Sequence, residues 1–311
     1  MVGKKILITG GCGFVAGRIA EVLASENEVT VVDNMRYWTS DVVVPKAIAY
    51  HYRGYLDSYD LNGYDFDLII HGATVNIIHA MTDPRACVDT NWRETVDFFD
   101  QAPSHIPILY LSTSSVYGNG VQFPTSEECR VAPSNVYAMT KLMAEEYLIK
   151  NHPNCVIARL SNVYGPRQRP ENPYSGVMVK MLESAITGKV FEMIGDGKQT
   201  RDFTYVDDVV SAVLALYDKG KRGHVYNVGT GVETSIKELS SHLPEGVDIR
   251  SIEPRAIDTV NRRCLSINKI KMDTGWEPKT TLRDGISKTM VWLMDQGFFT
   301  KPSFAEHGHE G

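Results

Sequence analysis

Nowhere in this 311-residue chain is there a run of the ~20 consecutive apolar residues that a membrane-spanning helix needs. Positive charge is not in excess either. Lys and Arg number 32 against 38 Asp and Glu, a formal net charge of −6, so nothing electrostatic argues for a nucleic-acid partner. Cysteine is sparse: Cys12, Cys87, Cys129, Cys155 and Cys264 are far apart, odd in number and without a Cys-x-x-Cys pair. That pattern speaks against a zinc site and a disulfide framework, and predicts reduced thiols in a cytoplasmic protein with no metal. Internal repeats are absent, and the one biased segment is the polar tail AEHGHEG, whose His307 and His309 read as solvated. The opening MVGKKILITG has too short an apolar stretch for a signal peptide.

What is present is alternation. KKILITG, EVTVVD, AIAYHYRG, FDLIIHGA, PILYLSTSS and NCVIARLSN read as strands, with helices over FVAGRIAEVLASE and over about 84–101 and 134–150. Short apolar strands separated by helices predict a doubly wound, parallel α/β sheet of Rossmann type. Residues 1–165 form this unit, joined by a returning segment at about 198–228; residues 166–311 are mainly a smaller α+β lobe. Between them, YGPRQRPENPYSG holds three prolines and two glycines and reads as a long functional loop.

The sequence Thr9-Gly10-Gly11-Cys12-Gly13-Phe14-Val15-Ala16 falls between a strand and a helix. There, Gly10 suits a tight turn and Gly13 lets backbone approach a pyrophosphate at the helix N-terminus. An ordinary glycine turn would look the same in isolation. Asp33, about 20 residues on, ends the second strand, where a carboxylate accepts hydrogen bonds from adenosine ribose hydroxyls. It also repels a 2′-phosphate, which favours NAD over NADP, although Arg36 nearby argues the other way.

Tyr137 and Lys141 are four residues apart in NVYAMTKLMAEEYL, on one face if the segment is helical. A phenol with a pKa of about 10 is a poor base at neutral pH, and a neighbouring cation corrects that. Taken alone, the spacing is equally that of any exposed helix. The strand end Leu111-Ser112-Thr113-Ser114-Ser115 places hydroxyls at the carboxyl edge of the sheet. They either reach a substrate alcohol or cap the next turn.

Taken together, the glycine motif, IIHGAT, STSSVYG, YAMTK, RLSNVYGPRQRP, GDGKQTRDFTYVDD, YNVGTG and GWEPKTTLRDGI resemble one family across nearly the whole chain. That family is the extended short-chain dehydrogenase/reductases acting on nucleotide sugars, the NAD-dependent epimerase/dehydratase group. The resemblance implies bound NAD, a small lobe holding a nucleoside-diphosphate sugar (UDP the carrier), and a homodimer through a four-helix bundle that includes the Tyr137 helix. It implies Thr113, Tyr137 and Lys141 as catalytic residues. The implied cofactor site is Gly10, Gly13, Phe14, Val15, Asp33, Asn34 and Ala73 with Tyr137 and Lys141. The implied substrate ligands are Thr113, Ser114, Asn162, Arg201, Arg255 and Asp258. Surface ion pairs of Arg201 with Asp202 and Arg255 with Asp258 are the ordinary alternative.

Members that eliminate water typically carry Asp-Glu after the catalytic Ser/Thr, and the decarboxylases usually keep the Glu. Here Ser114 and Ser115 stand instead, and neither does that acid/base work at neutral pH. The expected activity is therefore a UDP-hexose 4-epimerase working through a transient 4-keto sugar. Dehydratase, UDP-glucuronate decarboxylase, 4-keto reductase or a silent NAD-binding regulator are the alternatives. Several positions depart from the pattern: Tyr55, with Asp57 two residues on, replaces an acid near the adenine; His71-Gly72-Ala73-Thr74 replaces His-Leu-Ala-Ala; and the loop from His71 to Pro84, with His79 in it, is one residue short.

Overall fold

The computed structural model describes residues 1–36, 50–61, 63, 65–170, 176–243, 247–253 and 260–299. Its centre is a seven-stranded sheet in which every pairing is parallel. The first six strands in chain order are β1 (Lys5–Thr9), β2 (Glu28–Asp33), β3 (Tyr50–Arg53), β4 (Leu68–His71), β5 (Ile108–Thr113) and β6 (Cys155–Leu160); the seventh is His224–Val228. In space the order is His224–Val228, β6, β5, β4, β1, β2, β3. Continuous apolar runs such as Ile6-Leu7-Ile8 and Leu68-Ile69-Ile70 have no accessible surface, as strands covered on both faces require.

One face is covered by α1 (Val15–Leu23) and the helix Val206–Lys219, which bring Ile19, Val209 and Val213 onto the sheet. The other is covered by the helices Thr95–Asp100 and Val136–Asn151, through Phe98, Phe99, Ala144 and Leu148. A third cluster, with Met181, Leu182, Phe203, Leu239 and Leu293, gathers the later elements. No helix among the described residues is long and apolar enough to cross a membrane.

The chain winds outward from β1 to β3, then crosses back to β4 and winds the other way. That reversal opens a crevice beyond the carboxyl ends of β1 and β4, where open α/β sheets bind ligands. The helix expected over 134–150 runs Val136–Asn151 and is capped by the Asn135 side chain, which accepts from Ala138 N at 2.9 Å. The helix expected over 84–101 is not regular. Pro84–Val88 and Thr95–Asp100 are α-helical, but Asp89–Glu94 between them is a π-helical turn. The turn presents Asn91, whose side chain accepts from Val75 N (2.7 Å) and donates to Val75 O (3.0 Å). A 3.6-residue pattern carries no sign of the extra residue, because the partner strand end is remote in sequence. The third strand is seen from Tyr50; Ala47, Ile48 and Ala49 lie outside the described residues.

Candidate active site

Gly10 follows β1 with φ +67°, and a Cβ there would lie 2.6 Å from Ala73 N. Glycine is thus required twice over, by conformation and by the approach of the chain after β4. A Cβ on Gly13 would meet the Gly10 carbonyl at 3.0 Å. The turn leads through Phe14 and Val15 into α1, whose N-terminal amides face the crevice end of the sheet. Asp33 accepts from Cys12 N at 3.0 Å with one carboxylate oxygen and from Met35 N at 2.9 Å with the other. The acid thus braces the glycine loop while standing at the end of β2. Asn34 accepts from Arg36 N at 3.0 Å, and Ala73 N reaches the Thr9 hydroxyl at 3.3 Å. Arg36 forms an ion pair with Asp83 at 3.0 Å, so its charge is engaged across the loop. These residues fit a dinucleotide whose ribose carries free hydroxyls.

Thr113 ends β5. Its hydroxyl accepts from Ser115 N at 3.1 Å and is hydrogen-bonded to Tyr137. Partial burial raises the Tyr137 phenol above its ordinary value; the Thr113 hydrogen bond and the charge of Arg263 oppose that rise. The Lys141 ammonium lies 4.0 Å over the centroid of the Tyr110 ring, and burial brings its pKa down to about 7 against the opposing field of Glu145.

Glu145 follows Lys141 by four residues and is fully buried. Arg159 on β6 donates to it at 2.6 and 3.0 Å, and the Ser112 hydroxyl donates to it from the residue before Thr113. Arg159 also donates to the Tyr117 hydroxyl at 2.9 Å, which in turn donates to Asn227 at 2.8 Å. The network ties together the Tyr137 helix, β5, β6 and the strand His224–Val228, and so holds Thr113 and Tyr137 in register. The expectations did not include Glu145 or Arg159, although the Tyr137, Lys141, Glu145 spacing was visible.

The expected substrate ligands differ in their surroundings. Asn162 has a buried Oδ1 with no hydrogen-bond partner among the described residues. Arg201 donates to the Thr200 carbonyl at 2.7 Å; Asp202, its suggested salt-bridge partner, instead accepts from Thr230 N (2.8 Å), Gly231 N (3.2 Å) and Leu265 N (3.2 Å). Arg255 and Asp258 lie outside the described residues. Ser114 is buried and accepts from Arg263.

Arg263 and Arg167 were not expected. Arg263 enters the site beside Ser114, Ser115 and Tyr137. Arg167, with φ +75°, donates to Glu21 at 2.7 Å and packs against Gly17 beneath the glycine loop. The sequence signal for Arg263 was the pair Arg262-Arg263 in an extended segment, where neighbours point opposite ways. His79 opens a short helix, His79–Thr82, in the shortened loop, and burial with the charge of Arg36 lowers its pKa.

The site thus combines a dinucleotide cradle with a tyrosine–threonine pair at the carboxyl edge of the sheet. Residues 6–229 match the family model described as the NAD dependent epimerase/dehydratase family. A putative UDP-glucose 4-epimerase of Methanocaldococcus jannaschii is 31% identical over 93% of this chain and 98% of that protein. A UDP-N-acetyl-alpha-D-glucosaminuronate decarboxylase of Bacillus cytotoxicus is 28% identical over 94% of this chain and 98% of that one. Among solved structures, UDP-glucuronic acid 4-epimerase from Bacillus cereus, in complex with UDP-glucuronic acid and NAD, superposes with a TM-score of 0.83 at 26% identity, over 94% of this chain and 99% of that one. Relatives of similar identity thus include epimerases and a decarboxylase, and dehydratases are among them too. With the cradle, the tyrosine–threonine pair and the matched segment in agreement, the chain belongs to the NAD-dependent epimerase/dehydratase family of nucleotide-sugar enzymes.

Proposed function

We propose that this chain is an NAD-dependent UDP-sugar 4-epimerase. The observation that carries the reading is the chemistry around Tyr137. Among the described residues no carboxylate acts on the phenol, and the two positions after Thr113 are serines held by an arginine. Such a site has one acid/base, suited to taking a proton from one sugar hydroxyl and returning it. Thr113 holds the C4 oxygen, Tyr137 removes its proton, and after the 4-keto sugar has turned over Tyr137 protonates the oxygen on the way back. NAD supplies the hydride acceptor and donor when bound. Asn162 and Arg201 hold the diphosphate, arginine through paired charge-assisted hydrogen bonds.

Met139 and Met143, exposed on the outer face of the Tyr137 helix, and Val88 on the neighbouring helix support a homodimer through that face.

The test is mass spectrometry with proton NMR on purified protein, catalytic NAD and a panel of UDP-sugars. An isomer of unchanged mass with an altered C4 proton coupling supports the reading. A product lighter by water or carbon dioxide overturns it.

A further inference from the structure

Among the described residues, the charge of Arg263 meets no acid. Its Nη1 donates to Ser114 Oγ at 3.1 Å and to Ser115 Oγ at 3.0 Å, and its Nη2 reaches the Gly118 carbonyl at 3.4 Å. No carboxylate among the described residues forms an ion pair with it or influences its charge, whereas Arg201 adds like charge. Burial and Arg201 together bring its pKa down to about 10. Enclosing a guanidinium without an anion is costly.

The placement is nevertheless built. On one side of Arg263, Asn261 accepts from Thr200 N at 2.9 Å; on the other, Cys264 accepts from Thr125 N at 2.8 Å. The neighbouring Arg262 turns outward to Glu233 at 2.7 Å, which leaves Arg263 as the inward member of the pair.

We propose that Arg263 with Ser114 and Ser115 is a receptor for a carboxylate on the sugar, so that the substrate is a UDP-hexuronate. The inference rests on the reading of Tyr137 as acting at C4. Each serine oxygen accepts from the guanidinium, which leaves each hydroxyl proton to donate outward. Two hydroxyl donors and a cation together complement a carboxylate. Position selects which anion. Thr113 and Tyr137 mark the C4 oxygen, and Ser114, Ser115 and Arg263 adjoin them. On a hexose the groups adjoining C4 are the C3 hydroxyl and the C6 substituent on C5, of which only C6 can be a carboxylate, whereas the diphosphate hangs from C1 across the ring. A neutral hydroxymethyl group would satisfy the serines and leave the guanidinium charge unmatched.

The experiment compares kcat/KM of the full-length protein with NAD for UDP-glucuronate, UDP-glucose and UDP-N-acetylglucosamine, with products identified by mass. The expected result is a preference for UDP-glucuronate of about 10- to 100-fold, the usual reach of a charge-assisted hydrogen-bond set. Arg263→Met should collapse that preference, and Arg263→Lys should restore part of it. Equal or better turnover of the neutral sugars by the unaltered protein overturns the proposal, and this arm depends on no variant folding. An Arg263→Met loss of the same factor on all three sugars also overturns it, since that is the mark of a diphosphate contact. Loss of carbon dioxide from UDP-glucuronate is a distinct outcome. The C6 carboxylate is β to a C4 ketone, so the C5–C6 bond breaks with its electron pair passing into the enolate, which is then protonated at C5. That result sinks the epimerase reading and sustains the receptor.

Discussion

Ala16 and Gly72 share one space. A Cβ built on Gly72 would lie 2.7 Å from the Ala16 methyl, so the side chain that α1 carries is accommodated by the one that β4's following loop lacks. The glycine after His71, one of the departures from the family pattern, is thus fitted to the methyl of Ala16. Gly72→Ala should destabilise the protein by about 1–3 kcal/mol through overpacking. Ala16→Gly in the same chain should recover most of that loss. Urea unfolding of both single variants and the double variant measures the coupling; additive effects would refute the shared space.

Tyr137→Phe should bind NAD as the unaltered protein does and lose turnover by about 10²- to 10⁴-fold, the range of general acid–base catalysis. Thr113→Val should lower kcat less steeply, because it removes the hydrogen bond to the phenol and leaves the phenol itself. Cofactor titration by fluorescence alongside steady-state rates separates the two effects.

Lys141 is buried with a pKa of about 7 against an ordinary 10.5. Below pH 7 folded and unfolded chains both hold the proton, and the native state bears the full penalty of the enclosed charge. Between about pH 7 and 10.5 the unfolded chain binds more protons, so stability rises with pH across that window. Lys141→Met should remove this slope and stabilise the fold near neutrality by a few kcal/mol, on the order of one per pKa unit. The same variant should lose catalysis. Thermal unfolding from pH 6 to 10 is the check, and an unchanged slope would exclude Lys141 as its source.

Glu145 and Arg159 form a buried pair, with Arg159 5% exposed and Glu145 0%. Arg159→Met alone should cost about 3–5 kcal/mol by stranding the carboxylate. Glu145→Gln with Arg159→Met should cost less than Arg159→Met alone, since neither charge is left unpaired. Chemical denaturation of the set decides; a double variant as unstable as Arg159→Met alone, or more so, would contradict this account.

The sequence by itself determined the parallel sheet, because strands covered on both faces must be apolar throughout, and Ile6-Leu7-Ile8 and Leu68-Ile69-Ile70 are. It determined the glycine turn at Gly10, since only glycine suits φ +67° beside Ala73. It also determined which helix carries Tyr137 and Lys141, as both fall on one face at a spacing of four. Tertiary structure alone brought Arg263 beside the phenol. Lys141 lies over Tyr110, and Arg263 arrives from 126 residues further along the chain, where no local pattern links it to Tyr137. The π-helical turn that presents Asn91, the Glu145–Arg159 tie and the Ala16–Gly72 fit are likewise products of packing between distant segments. Periodicity records which face of an element is buried; it does not record what that face meets.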